Sequence, residues 1–133
     1  MSTTKPAGVE ATIRGCQTAD VEPIVIDAAD LESTAPGHLR DLKSGLAERG
    51  YQPATVSAEA CFSEDCTLAT QEEADRLRGI VRAASFLGAS RVELRIDAIA
   101  DPERVEPALS ALTERATREG VDLIRLGDAH SAA

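Results

Sequence analysis

The sequence predicts an α/β domain with a four- or five-stranded, mostly parallel sheet and helices on one side. Three observations carry that expectation. Three times the chain runs amphipathic helix, glycine, strand, and the stops Gly50, Gly88 and Gly120 fall at the spacing of successive βα units. In the segment after Gly88, Val92, Leu94 and Ile96 alternate with Glu93, Arg95 and Asp97, which gives one apolar and one charged sheet face. A parallel sheet covered on both faces would instead read as a continuous apolar run. Finally, βαβ crossovers are right-handed in nearly all cases, so three wound in one direction place every helix on the same side.

Residues 1 to 8 are polar and expected to be flexible, as is the tail from 127 to 133, leaving 9–126 as a single domain. Val9, Ala11 and Ile13 alternate with Glu10, Thr12 and Arg14 in a first expected strand over 9–16. A second covers Val21 to Asp27, with Ile24, Val25 and Ile26 as its body. The connection between the two is too short for a crossover helix, so they form a hairpin or only one of them is a strand. Residues 28 to 37 read as a loop closed by Pro36 and Gly37. A helix from about His38 to Arg49 turns Leu39, Leu42 and Leu46 inward, and Tyr51 to Ala58 form the next strand, with Ala54, Val56 and Ala58 opposite Thr55, Ser57 and Glu59.

Residues 59 to 69 read as a longer loop, a place where function often resides. Thr70 and Glu73 have the spacing of a capping box and set the start of the longest helix. Leu77, Ile80, Val81, Ala84 and Leu87 form its inward stripe. After the Val92 to Asp97 strand, Asp101 and Pro102 open a helix. Pro107 implies either a true start near that residue or a kink. Val105, Leu109, Leu112 and Ala116 face inward, and Val121 to Leu126 form the last strand.

At 133 residues the chain supports one core and no second domain. The net charge is −9, and Lys5 and Lys43 are its only lysines. Such a composition suits a salt-rich cytoplasm, and a high-arginine genome would give the same one. Either way it disfavours nucleic acid and anionic membranes, which need basic patches. The N-terminus lacks an apolar signal core and no run reaches membrane-spanning length, so the expected location is cytoplasmic.

The segments HLRDLKSGLAERGYQPATVSA, EEADRLRGIVRAASFLGASRVELRID and ALSALTERATREGVDLIRL resemble consecutive βα units of the xylose isomerase-like TIM barrels, which include sugar phosphate isomerases and epimerases. The resemblance covers roughly residues 38 to 126 and implies about half of an eight-stranded barrel. Members of that superfamily bind a divalent metal through carboxylates and histidines at strand ends. The slot of their first metal-binding glutamate is held here by Leu126, and that of a histidine found in some members by Arg95. The resemblance therefore supports the fold and argues against the activity.

The candidate site residues lie at the C-terminal strand ends, where βα folds place their active face. Asp27, Glu59, Cys61, Cys66, Asp97, Asp128 and His130 would sit at that edge. Solvated carboxylates are the plain reading, and a shallow pocket for a polar small molecule is the sharper one. Glu59, Glu93 and Asp97 are the candidate catalytic carboxylates, with Arg95, Arg14 and Asp128 as candidate ligand-binding residues. Arg95 would grip an anion such as a sugar phosphate, or else pair with a neighbouring carboxylate in the sheet. Cys16, Cys61 and Cys66, with His130 or His38, are the only candidate metal ligands, at a spacing unlike CxxC. No cofactor is predicted beyond that divalent-metal option, and a redox-sensing thiol pair at Cys61 and Cys66 stays open.

Two functions are compatible with these residues. One is a noncatalytic or regulatory barrel fragment acting through self-association or a protein partner. The other is a sugar phosphate isomerase-like or epimerase-like enzyme with its site on the polar sheet face, around Glu59, Glu93, Arg95 and Asp97.

Overall fold

The structure, a computed structural model, describes residues 21–126. The expected strand over 9–16, its hairpin, the two flexible ends, and with them Arg14, Cys16, Asp128 and His130, lie outside the described residues. The elements run β1 (Glu22–Asp27), a 3₁₀ turn (Ala28–Asp30), α1 (Pro36–Glu48), β2 (Tyr51–Phe62), α2 (Thr67–Leu87), β3 (Arg91–Ile99), α3 (Pro102–Arg118) and β4 (Asp122–Leu126). The strands form one sheet in the order β1-β2-β3-β4, and every pairing is parallel. Among the described residues this is a four-stranded α/β sheet with three α-helices on one face.

The register explains the one-sidedness. Ile26, Val56, Val92 and Leu123 make one row across the sheet, and Ala58 with Leu94 and Ala60 with Ile96 make the next two. Val56, Val92, Leu94 and Ile96 are all at most 2% exposed, packed with Leu77, Ile80, Val81 and Ala84 of α2 and Val105, Leu109, Leu112 and Ala116 of α3. Because strand side chains alternate, the intervening rows face away from the helices. These are Val25, Thr55, Arg91, Asp122, then Asp27, Ser57, Glu93, Ile124, then Glu59, Arg95, Leu126. Among the described residues no element covers this second face.

A smaller cluster of Leu39 with Ala83 and Leu87 ties α1 to α2, with Leu42 and Ile26 against it. Each helix ends at the expected glycine, with φ of 80° at Gly50, 87° at Gly88 and 81° at Gly120, a region that a Cβ disfavours.

Four local expectations are corrected. The long helix starts one turn early, at Thr67 with Cys66 as its N-cap, so Thr70 is a buried residue inside it and not a cap. The expected loop over 59–69 is mostly ordered structure: Glu59 to Phe62 continue β2, leaving only residues 63 to 66 as connection. Ala54 is only half-buried, because the ladder skips it between the pairs Ile24–Pro53 and Val25–Thr55, while Thr55 is buried although its row faces away from the helices. The first helix opens at Pro36, not His38, using proline where no amide partner is required. The last helix, by contrast, opens as expected at Asp101 and Pro102, where Asp101 accepts from the Glu103 amide, and of the two options at Pro107 a second start is ruled out.

Candidate functional site

The uncovered face holds a cleft of about 210 Å³ lined by Asp27, Ser57, Glu59, Glu93, Arg95 and Leu126. Its position follows from the ladder. Glu59, Arg95 and Leu126 are partners across β2, β3 and β4, and Asp27, Ser57 and Glu93 are partners one row below. The sheet thus brings together two of the three candidate carboxylates, Glu59 and Glu93, with the candidate arginine. Asp97, further along β3, does not line the cleft.

The charges within it are unequal. Glu93 is paired within its own strand to Arg91 at 3.2 Å, so the ion pair expected of Arg95 belongs to Arg91 instead. Asp27 accepts from the Ala29 amide at 2.9 Å and closes the turn after β1. Arg95 is exposed and makes no ion pair among the described residues. Asp27, Glu59 and Glu93 are thus offset by Arg95 and, at Glu93, by Arg91, which leaves the cleft with a small excess of negative charge. A phosphate brought to Arg95 would meet repulsion from Asp27, Glu59 and Glu93.

A second arrangement, invisible in local sequence pattern, lies beside the cleft. β1 ends at Asp27, opposite Ser57, while β2 continues to Phe62. The polar main-chain groups beyond Ser57 on that side have no strand partner. They are met instead by side chains of α2: Arg76 Nη2 donates to the Glu59 carbonyl at 2.6 Å, and Glu73 Oε2 accepts from the Cys61 amide at 2.9 Å. Arg76 also holds Glu73 through two bonds, Nε to Oε1 at 2.9 Å and Nη2 to Oε2 at 2.8 Å. The pair supplies the donor and acceptor that a further turn of β1 would have supplied. The Arg76 hydrogen bond, helped by the Cys61 amide and the charge of Arg76, lowers the Glu73 pKa despite partial desolvation. The same bond raises the Arg76 pKa.

Neither of the described cysteines lines the cleft. Cys61 and Cys66 are exposed free thiols at either end of the short connection after β2, and the Cys61 thiol donates to the Ser63 hydroxyl at 3.3 Å. A larger depression, about 480 Å³ between α2 and α3, is lined by residues that include Thr70, Arg78 and Arg104. Its arginines are already engaged, Arg78 with Asp75 and Arg104 with Asp65 at 2.5 Å.

The metal of the xylose isomerase-like barrels finds no fit here. Leu126 and Arg95, at the positions matched to its ligands, both line the cleft and neither can donate a lone pair to a cation. No group of three His, Cys, Asp or Glu among the described residues is placed to hold a metal ion. Nor is any helix among them long and apolar enough to cross a membrane.

A sheet of four consecutive parallel strands, helices on one face and a polar cleft on the other, defines a partial barrel of the α/β class. Its family follows from sequence: the chain belongs to the family described as Domain of unknown function (DUF8564), whose model matches residues 20–125. Among solved structures it is similar to the crystal structure of a xylose isomerase domain protein from Planctomyces limnophilus, with a TM-score of 0.61 and 14% identity. That match covers 79% of this chain and 44% of the other, so the chain spans less than half the length of that barrel protein. The fold is therefore xylose isomerase-like, about half a barrel. No curated protein matches the chain in sequence.

Proposed function

We propose that the chain is a noncatalytic half-barrel module that works by protein association through its uncovered sheet face. The observation that carries this reading is the sheet itself. A barrel of this type buries its inner face by closing on itself, and here the corresponding rows, from Val25 and Asp27 to Ile124 and Leu126, have nothing over them among the described residues. Val25 is 63% exposed, on a strand that is at the edge of the sheet among the described residues. The donor set supports the same reading, since Leu126 and Arg95 stand where metal ligands would be needed.

The test is carboxylate labelling. Glu59 and Glu93, modified with a carbodiimide and an amine, are expected to label readily in the purified chain diluted until it sediments as a monomer and poorly in intact cells, where a partner covers them. Equal labelling in both settings would remove the reading.

The second reading, a sugar phosphate isomerase-like or epimerase-like enzyme, is favoured by one observation, the gathering of Glu59, Glu93 and Arg95 in a single cleft. Thermal shift against a panel of sugar phosphates tests it. A stabilisation lost in Arg95→Ala would support the enzyme, and none in the wild type would leave it without support.

A further inference from the structure

The register of the four strands points to what covers the open face. Along the row Val25, Thr55, Arg91, Asp122, the first residue is near the C-terminal end of β1, whereas Arg91 and Asp122 are the first residues of β3 and β4. The step falls between β2 and β3: β1 and β2 start level at Glu22 and Tyr51, β3 opens beside Thr55, the fifth residue of β2, and β4 starts level with β3, so the last two strands are displaced toward the C-terminal end of the first two. This is the stagger that lets a parallel sheet curl, and an eight-stranded barrel accumulates a shear of about eight residues, hence about four over four strands. Carrying the same step past β4 fixes the neighbour of each residue there. Asp122 is in the Val25 row, so the residue four further on, Leu126, falls beside Val25 of the next strand.

We infer that two copies of this chain close one eight-stranded barrel about a two-fold axis, through two identical seams in which β4 of one copy pairs with β1 of the other and Leu126 meets Val25. This rests on the reading of the open face as an association surface and names its occupant. Three observations carry it. The predicted neighbours have the same orientation, since Val25 and Leu126 both belong to rows that face away from the helices. Apolar side chains on that face occur at its two edges, Val25 on β1 and Ile124 and Leu126 on β4, while the central strands carry Arg91, Glu93 and Arg95. A face evolved only to meet water has no reason to place its apolar residues at the edges that a seam would join. Lastly, this chain covers 44% of a full barrel chain, so two copies supply nearly the strands of one.

Two features shape the seam. Pro23 has no amide to give, so side-chain packing at Val25 and Leu126 does more to hold the register. The face also carries more carboxylates than guanidiniums, so closure brings like charges together, and salt that screens them strengthens the pairing.

Sedimentation equilibrium of the full chain at low and at molar salt is the first arm. The expected mass is twice 14.0 kDa, with the dimer favoured at the higher salt. Leu126→Lys is expected to return the mass to that of one chain while the circular dichroism stays that of the wild type. The second arm uses Cys16→Ser, Cys61→Ser and Cys66→Ser as background. Val25→Cys with Leu126→Cys is expected to give a covalent dimer when diamide takes up the two thiol hydrogens, and Val25→Cys with Asp122→Cys is expected not to. A dimer that cross-links through 25 and 122, or through neither pair, overturns the seam. A chain that is monomeric at every salt overturns the second copy as occupant. Carboxylate labelling in cells decides the association reading separately, because it does not depend on which protein is the partner.

Discussion

The guanidinium of Arg76 donates to the main-chain carbonyl of Glu59 across 2.6 Å, from the third turn of a helix to the overhanging end of a strand. With Glu73 on the Cys61 amide, it completes the hydrogen bonding of β2 where β1 has ended. Removing one partner of such a bond leaves a strand group unpaired, and the cost is moderated here because Cys61 is exposed and water can substitute. Glu73→Ala and Arg76→Ala are each expected to lower stability by about 1 kcal/mol. Urea unfolding midpoints check this, and the double variant should cost less than the sum of the two, because the residues share one network.

The same pair sets an acid dependence. The folded-state pKa of Glu73 lies below its ordinary value of 4.5. The unfolded chain therefore binds a proton first as pH falls, and the stabilisation is complete above the ordinary value and is lost as pH drops through the lowered one. The stability gap between wild type and Glu73→Gln should narrow over that acid window and stay constant from there to neutrality. A gap that widens toward acid would contradict the assignment.

Leu94 is 1% exposed at the centre of the sheet, within the cluster formed with α2 and α3. Leu94→Ala opens a cavity there and is expected to cost about 2–5 kcal/mol. Arg95→Ala, one residue on and facing the cleft, is expected to change stability by less than about 0.5 kcal/mol. Paired denaturation curves check both, and near-equal effects would mean that β3 is covered on both faces.

Gly88 sits at φ 87°, and a Cβ there would lie 3.3 Å from Gln52 Nε2. Gly88→Ala strains the backbone as well as that contact, and a loss of about 1 kcal/mol is expected, read as a lower thermal midpoint.

Much of the fold was legible because it depends on short-range periodicity. Val92, Leu94 and Ile96 against Glu93, Arg95 and Asp97 announced a sheet with one greasy side, and Leu77 to Leu87 and Val105 to Ala116 announced the helices that cover it. The misreadings share a cause. Glu59 to Phe62 looked like a loop because Glu, Cys, Ser and Asp crowd the stretch, although Ala58, Ala60 and Phe62 continue the period of two and could have revealed the strand. Thr70 and Glu73 have capping-box spacing, but Glu73 is drawn off to Arg76 and the Cys61 amide, and Thr70 is buried. The clasp on β2 joins residues far apart in the chain, so no local pattern encodes it. In the cleft, the types of Glu59, Glu93 and Arg95 were readable, while the partnership of Glu93 with Arg91 depended on side-chain reach that the alternation leaves open.

Borrowing a helix to finish a strand ties the fate of one element to the other. The Cys61 amide has its acceptor on α2, and Arg76 holds that acceptor in place, so loosening of the helix turns that carry Glu73 and Arg76 frees that proton for solvent. Its exchange with deuterium should therefore keep time with the α2 amides around Glu73 and Arg76, and out of step with the amides deep in the ladder of its own strand.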